Sequence, residues 1–326
     1  MTGNVDAVDP DDLVWHYTDG HGLISILSGH ALWATSSAFL NDRQEIALGG
    51  DLVARRIREL ADGDDSGVLA RLAAKVTTST EHGEGPGTAD FYILSASRHH
   101  DSLAMWRLYG GAAESYAIGL DPAAPLAVLG DADLPVGREN GLYLHHEPWQ
   151  PVRYQEAEQI ALVDGVVQAL PGILERLGPV ARDQAFDPQQ PPSPELGHQI
   201  ERLLDDIQEM LFLIKHPGFV DERESRYGVV LVTGGRERPS IPEIEARLLS
   251  YRPTAYGIAP FVRLTGGDPA GGPRGQVRPD PSPLPVRAVA ISPSPNGPES
   301  TASLRRLLVR HGYDVPVLRS GIPFRG

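Results

Sequence analysis

VWHYTDGHGLISILSGHALWATSSAFLNDRQE, residues 14–45, is the stretch around which the chain is organised. It reads as a short strand ending in His16-Tyr17-Thr18, a helix from Asp19 to about Ser28, and a stop at Gly29. A second strand, Ala31 to Ser37, follows, and a turn at Asn41-Asp42 opens another helix. Asp19 has the chemistry of a helix N-cap, since its carboxylate can accept from the free N–H groups of the first turn. Leu23, Ile26 and Leu27 give that helix a single apolar stripe. The polar triplet His16, Tyr17 and Thr18 falls where strand gives way to helix. Backbone donors point outward at such junctions, and sites in mixed α/β folds form there.

Working outward, residues 1–12 read as a flexible tail and residues 13–326 as one domain. Helical patterns at Val68–Val76 and Asp101–Leu108 alternate with strand patterns at Phe91–Ser97 and Ser115–Leu120. Gly141–His145 and Val152–Tyr154 read as strands near the middle of the sheet system, and Ile160–Leu177 as one amphipathic helix. Leu196–Ile214 carries Ile200, Leu203, Leu204, Ile207, Leu211 and Ile214 on one face, so residues 156–214 read as a helical insertion or cap. Strands follow at Arg226–Val232, Tyr256–Leu264, Val286–Ile291 and Val315–Leu318, with a helix at Glu299–Arg310. Strands and helices interleave without regular βαβ spacing. The expected class is therefore α+β, with split or facing mixed sheets flanked by helices.

The 326 residues carry a formal net charge of −14, which argues against a broad phosphate-neutralising surface. A nucleic-acid substrate held in a local basic pocket is compatible with that charge. The absence of cysteine excludes disulfides, thiolate metal sites and a Cys nucleophile together. The opening MTGNVDAVDPDD is acidic and lacks an apolar centre, and no apolar run approaches the length of a membrane span, so the expected setting is cytoplasmic. There is no P-loop, no G-x-G-x-x-G after a strand, no H-E-x-x-H and no nucleophile elbow. His99-His100-Asp101 and His145-His146-Glu147 have ligand chemistry, but adjacent residues on a strand face opposite ways, so no metal is expected.

Several short runs match one pattern in order: His16-Tyr17-Thr18, then Leu40-Asn41-Asp42 with Glu45, then Ser95 with Trp106-Arg107-Leu108-Tyr109-Gly110. Lys215-His216-Pro217, Glu222-Arg223-Glu224 with Arg226, and Ser320-Gly321-Ile322-Pro323-Phe324-Arg325 complete it. Together they resemble the bacterial family numbered 2971 among the domains of unknown function, over nearly the whole chain. Ser225 departs from that pattern, which usually carries a Trp inside its E-x-E-x-R run.

His16 with Tyr17 and Thr18, the Thr35-Ser36-Ser37 strand end and Glu222-x-Glu224 are also similar in part to the ADP-ribosyltransferase fold. That resemblance implies NAD as a substrate, with His16 on the adenosine-side ribose and a late-strand Glu on the other ribose's 2′-hydroxyl. It assigns Tyr17 and Trp33 to the nicotinamide, Thr18 and Ser36 to support, and Glu224 to catalysis with Glu222 assisting. Arg226, with Arg223, would hold the pyrophosphate or pair with the acids. Breaking the nicotinamide–ribose bond builds positive charge on the sugar, which a carboxylate stabilises. The acceptor, a protein or a nucleic acid, stays open, as does a toxin or phage-defence setting. Two other readings stand beside it: a non-catalytic ligand- or partner-binding module, and a metal-independent nuclease or phosphotransferase using His16 with Lys215-His216.

Overall fold

The computed structural model describes residues 8–39, 43–61, 67–81, 86–87, 89–110, 114–131, 133–134, 136, 142–177, 194–233, 241–254, 257–268 and 277–323. The chain divides into two compact units, one of residues 1–36, 92–151 and 221–326 and one of residues 37–91 and 152–220. The single domain expected over 13–326 is thus met by two units. The segment expected as a helical insertion, 156–214, shares the second unit with 37–91.

The first unit is built on the strands β1 (Val14–Asp19), β2 (Leu32–Ser36), β3 (Asp90–Ser97), β4 (Ser115–Leu120), β5 (Leu126–Leu129) and β6 (Leu142–Pro151). To these are added β7 (Glu224–Thr233), β8 (Leu249–Thr254), β9 (Gly257–Gly266), β10 (Val277–Arg278), β11 (Val286–Ile291) and β12 (Val317–Arg319). They join one open mixed sheet ordered β10-β5-β9-β2-β3-β1-β4-β11-β12, with β8 added on β9 and the β7–β6 pair branching from β3. β5–β10 and β11–β12 are parallel, while β1, β2 and β9 pair antiparallel with their neighbours. The class is α+β, as expected. The split or facing sheets are not found: β3 pairs with β1, β2 and β7, and so keeps in one network the strands that would form a second sheet. β6, expected near the middle, lies at the end of the branch and pairs with β7.

Alternation along β1 sets the two faces of this sheet. Val14 joins a core with Leu94 and Ala96 of β3, Ile118 of β4, Tyr227 and Val229 of β7, and Val289 of β11. Trp15 and Tyr17 point the other way, into a smaller core with Met105 and Trp106 of the helix Leu103–Tyr109, and with Ala288 and Ala290. The flexible tail does not reach as far as residue 12. Asp9 caps a short 3-10 turn, Pro10–Asp12, and the Trp15 indole N–H donates to the Pro10 carbonyl at 3.0 Å. Residues 1–7 lie outside the described residues.

Helix α1 (Gly20–Gly29) starts as its sequence dictates, with the Asp19 carboxylate accepting from Gly22 N–H at 2.7 Å. Leu23 and Leu27 of its apolar stripe are buried. A Cβ on Gly22 would lie 2.0 Å from Thr18 Oγ1, so only glycine lets the strand end and the helix start meet this closely.

The second unit is helical: α2 (Arg43–Leu60), α3 (Val68–Glu81), α5 (Glu156–Val167), α6 (Leu170–Leu177) and α7 (Pro194–Leu211), with α4 being Leu103–Tyr109 of the first unit. Gly49 and Gly50 let α2 approach its neighbours, since Cβ atoms there would lie 2.9 Å from Leu211 and 2.2 Å from Thr80 Oγ1. Arg56 of α2 donates from Nε and Nη2 to the two carboxylate oxygens of Asp164 on α5, at 2.7 and 2.8 Å. The helix expected over 160–177 is two, because Pro171 has no N–H to continue a ladder and instead sits in the first turn of a new helix. The turn expected at Asn41-Asp42 lies outside the described residues. Among the described residues, no helix is long and apolar enough to cross a membrane.

Candidate functional site

The site starts from an interruption in strand pairing. β1 pairs with β4 along its length, Val14↔Leu120 through Asp19↔Ser115, but its register with β3 consists of Trp15↔Ser97. Continued pairing would set Tyr17 opposite Ser95. Instead the Ser95 carbonyl is met by the His16 ring, whose Nδ1 lies 3.0 Å from it. A carbonyl only accepts, so Nδ1 carries the hydrogen and the neutral ring offers Nε2 as an acceptor. Burial pushes the His16 pKa below the ordinary histidine value, the Ser95 contact opposes this, and the positive charge of Arg252 lowers it further.

Arg252 comes from β8, which forms a hairpin with β9, and its Nη2 donates to Thr35 Oγ1 on β2 at 2.8 Å. Thr35 is buried at 5% exposure, whereas Trp33, two residues earlier on the same face of β2, is 43% exposed. Trp33 stacks on Phe261 of β9 with ring centroids 4.5 Å apart, and the Arg252 guanidinium lies 6.0 Å from the Trp33 ring centre. The Arg252 Nε is shut off from solvent and has no hydrogen-bond partner among the described residues. Burial lowers the Arg252 pKa. Thr35, Trp33 and Arg252 therefore form one group of a hydroxyl, a partly exposed aromatic ring and a cation whose charge is felt at His16.

A second group lies on β7. Glu224 and Arg226 point away from Tyr227 and Val229, which face the main core, and form a bidentate ion pair with Nε–Oε1 at 2.8 Å and Nη2–Oε2 at 2.9 Å. Both side chains are less than one tenth exposed. The pairing of Arg226 with an acid is thus buried rather than solvated. Glu222 is also buried, and its carbonyl accepts from Ser97 Oγ at 2.7 Å. Arg223 between them takes a left-handed backbone, φ 43°, and its carbonyl accepts from Arg98 N–H at 2.8 Å. Ser225 is buried on the Tyr227 side, and an aromatic ring on that side comes from the neighbouring strand, where Trp149 of β6 lies 5.6 Å from Tyr227.

Three expected binding residues take other positions. Tyr17 is buried in the smaller core, edge-on to Trp106 at 4.6 Å, with its hydroxyl donating to the His99 carbonyl and accepting from Ser102 N–H. Strand alternation turns it to the face of β1 opposite His16. Ser36 pairs with Tyr92 of β3, and alternation gives Thr35 rather than Ser36 the face of Trp33 and Arg252. Thr18 shares the His16 face of β1 and packs its hydroxyl against Gly22. Lys215 and His216 belong to the other compact unit, where Lys215 lies over the Phe219 ring at 5.0 Å and His216 Nδ1 accepts from Gly218 N–H. Arg252 is absent from the sequence reading, in which the strand nearest to it starts at Tyr256; it lies on the strand Leu249–Thr254.

The paired histidines also have local roles. His145 contacts Glu147 at 2.7 Å, His146 Nδ1 meets the Tyr227 hydroxyl at 2.6 Å, and His99 Nδ1 accepts from Asp101 N–H at 3.3 Å. Among the described residues no group of three His, Asp or Glu side chains could hold a metal ion. Comparison with known proteins adds no assignment: no family model, no curated protein and no solved structure matches the chain.

Proposed function

We propose that the chain binds NAD as a substrate and transfers its ADP-ribose to an acceptor, a protein or a nucleic acid, as its motif resemblances imply. The observation that carries this reading is the His16 ring lodged where β1 leaves β3, its pKa lowered by burial and by the charge of Arg252. A neutral imidazole with Nδ1 already donating leaves Nε2 to accept from a ribose hydroxyl. Trp33 offers a planar surface for a base. In the reaction the bond from ribose to the nicotinamide nitrogen breaks, and its electron pair leaves with nicotinamide. The acceptor's lone pair then bonds to the sugar carbon and its proton passes to a base. Glu224 is the carboxylate assigned to the positive charge that builds on the sugar, with Glu222 assisting and Arg226 fixing Glu224 in orientation. The same reading carries the family resemblance and its toxin or defence setting.

A second reading, a binding module without catalysis, is favoured by one observation. Both Glu224 oxygens are engaged by Arg226 in a buried pair, a state typical of structural carboxylates. Calorimetric titration of NAD followed by nicotinamide release over hours separates the two. Transferase activity predicts binding lost in His16→Ala and release lost in Glu224→Gln with binding retained. Binding without release from the wild-type protein would leave the module reading in place. No binding at millimolar NAD would remove the transferase reading and leave the module, with another ligand or a partner to find.

A further inference from the structure

Register places Trp33 of β2 directly opposite Arg263 of β9, and Phe261 opposite Thr35 on one side and Ser250 of β8 on the other. Arg252 stands opposite Ala259, so alternation brings Trp33, Phe261, Arg263 and Arg252 to one face of three adjacent strands. Phe261 is buried and stacks on the Trp33 indole with ring planes 29° apart. One face of the indole is thereby covered, and its 43% exposure leaves the other side open to a second flat ring. Because Phe261 already holds the indole in orientation, such a ring would find its platform preformed. Arg263 is exposed beside it, and the Arg252 guanidinium, tethered at Thr35 Oγ1, lies 6.0 Å from the indole centre. In a chain of net charge −14, two arginines flanking an open indole make a local cationic strip. Charge and shape together choose its occupant. An acidic peptide would answer the arginines and leave the indole uncovered. A duplex keeps its bases stacked on one another. A single strand supplies phosphates for the arginines and unstacked bases for the indole.

We infer that this face of β2, β9 and β8 docks a single-stranded nucleic acid, with a base on Trp33, a backbone phosphate on Arg263 and the charge of Arg252 attracting the next. This names the class of the acceptor left open above. It rests on the transferase reading for the transfer step alone, since docking needs only the strip. The strip is short, so the site is local, in keeping with the acidic balance of the chain.

The test uses the full chain and fluorescence anisotropy at low salt with three labelled probes: an oligothymidylate, an abasic oligomer of the same length, and polyglutamate. Wild type should bind the oligothymidylate about tenfold to a hundredfold more tightly than the abasic oligomer, the range for one stacked base. Trp33→Ala should remove that preference and leave abasic binding unchanged, and Trp33→Phe, which keeps a ring, should restore part of it. Arg263→Gln should weaken both oligomers and lower the slope of log affinity against log salt by about 0.7, one phosphate contact on a single strand. Arg252→Gln should act in the same direction. Polyglutamate bound as tightly as the oligothymidylate would make the occupant an acidic protein and overturn the inference. So would equal binding of the two oligomers, undiminished binding by Trp33→Ala, or no binding of wild type to any probe. Arg263 is exposed, so its variant still decides the matter where thermal unfolding shows Trp33→Ala to be misfolded. The two readings fail separately. Nicotinamide release from NAD with no oligothymidylate binding keeps the transferase and removes the nucleic-acid acceptor. Oligothymidylate binding through Trp33 without nicotinamide release keeps the strip and sinks the transferase.

Discussion

Arg226 and Arg252 both project from strands of the first unit, and their circumstances are opposite. Arg226 is buried with two parallel hydrogen bonds to Glu224, so its charge is answered within the chain. Arg252 has one hydroxyl, a nearby indole and a desolvated Nε. The first arrangement is self-sufficient, and changing it should damage the fold. The second is incomplete, and changing it should damage binding while leaving the fold in place. Burial of charge is common to both. What separates structure from function here is whether the protein supplies the counter-charge.

The sharpest way to break this comparison is Arg226→Ala, which takes from the buried Glu224 carboxylate both hydrogen bonds that Arg226 gives it. Denaturant unfolding should show a loss of about 3–5 kcal/mol, the range for half of a buried ion pair removed. A loss under 1 kcal/mol would mean that the pair is not structural.

Tyr17→Phe tests the other face of β1. Removing the hydroxyl deprives the His99 carbonyl and the Ser102 N–H of their shared partner, and stability should fall by about 1–3 kcal/mol. NAD affinity should not change, and a specific loss of NAD binding would return Tyr17 to the ligand side.

Acid sharpens the contrast between buried histidines and exposed ones. Burial, helped by the charge of His145, pushes the His146 pKa down to about 4, below the ordinary value of 6.5. The unfolded chain therefore takes up the proton first as pH falls. Stability is unaffected by this residue above about pH 6.5 and is lost progressively from there down to about pH 4. Unfolding curves across that range should flatten in His146→Gln. His16, also depressed, works in the same direction, and NAD binding should weaken as its Nε2 is protonated.

The smallest expected effect on stability belongs to Arg252→Gln. It gives up one hydrogen bond and relieves one desolvated donor, so the unfolding free energy should shift by less than about 1 kcal/mol in either direction.

Much of the local structure around the site was legible. The Asp19 cap, the Leu23–Leu27 stripe of α1, the strand carrying Trp33 and Thr35, and β11 all lie where periodicity and capping chemistry put them. These features depend on residues within a few positions of one another. The β8 hairpin was not legible, because Leu249–Thr254 contains Pro253 and pairs in an exposed position, with Tyr251 63% exposed. No apolar alternation marks such a strand. The exchange of Ser36 for Thr35 turns on strand parity at β2, and parity depends on where the strand meets β3 and β9.

His16 as a candidate, the α+β class, the absence of thiol chemistry and the acidic balance were determined by the sequence alone, because composition and short-range pattern suffice for them. Tertiary structure decided the rest: that Tyr17 is core, that Glu224 is paired with Arg226, and that Arg252 of β8 reaches Thr35 of β2. Residues 35 and 252 meet only because β2, β9 and β8 lie in one order in one sheet. Strand order is set by pairing over long separations, which no local pattern encodes.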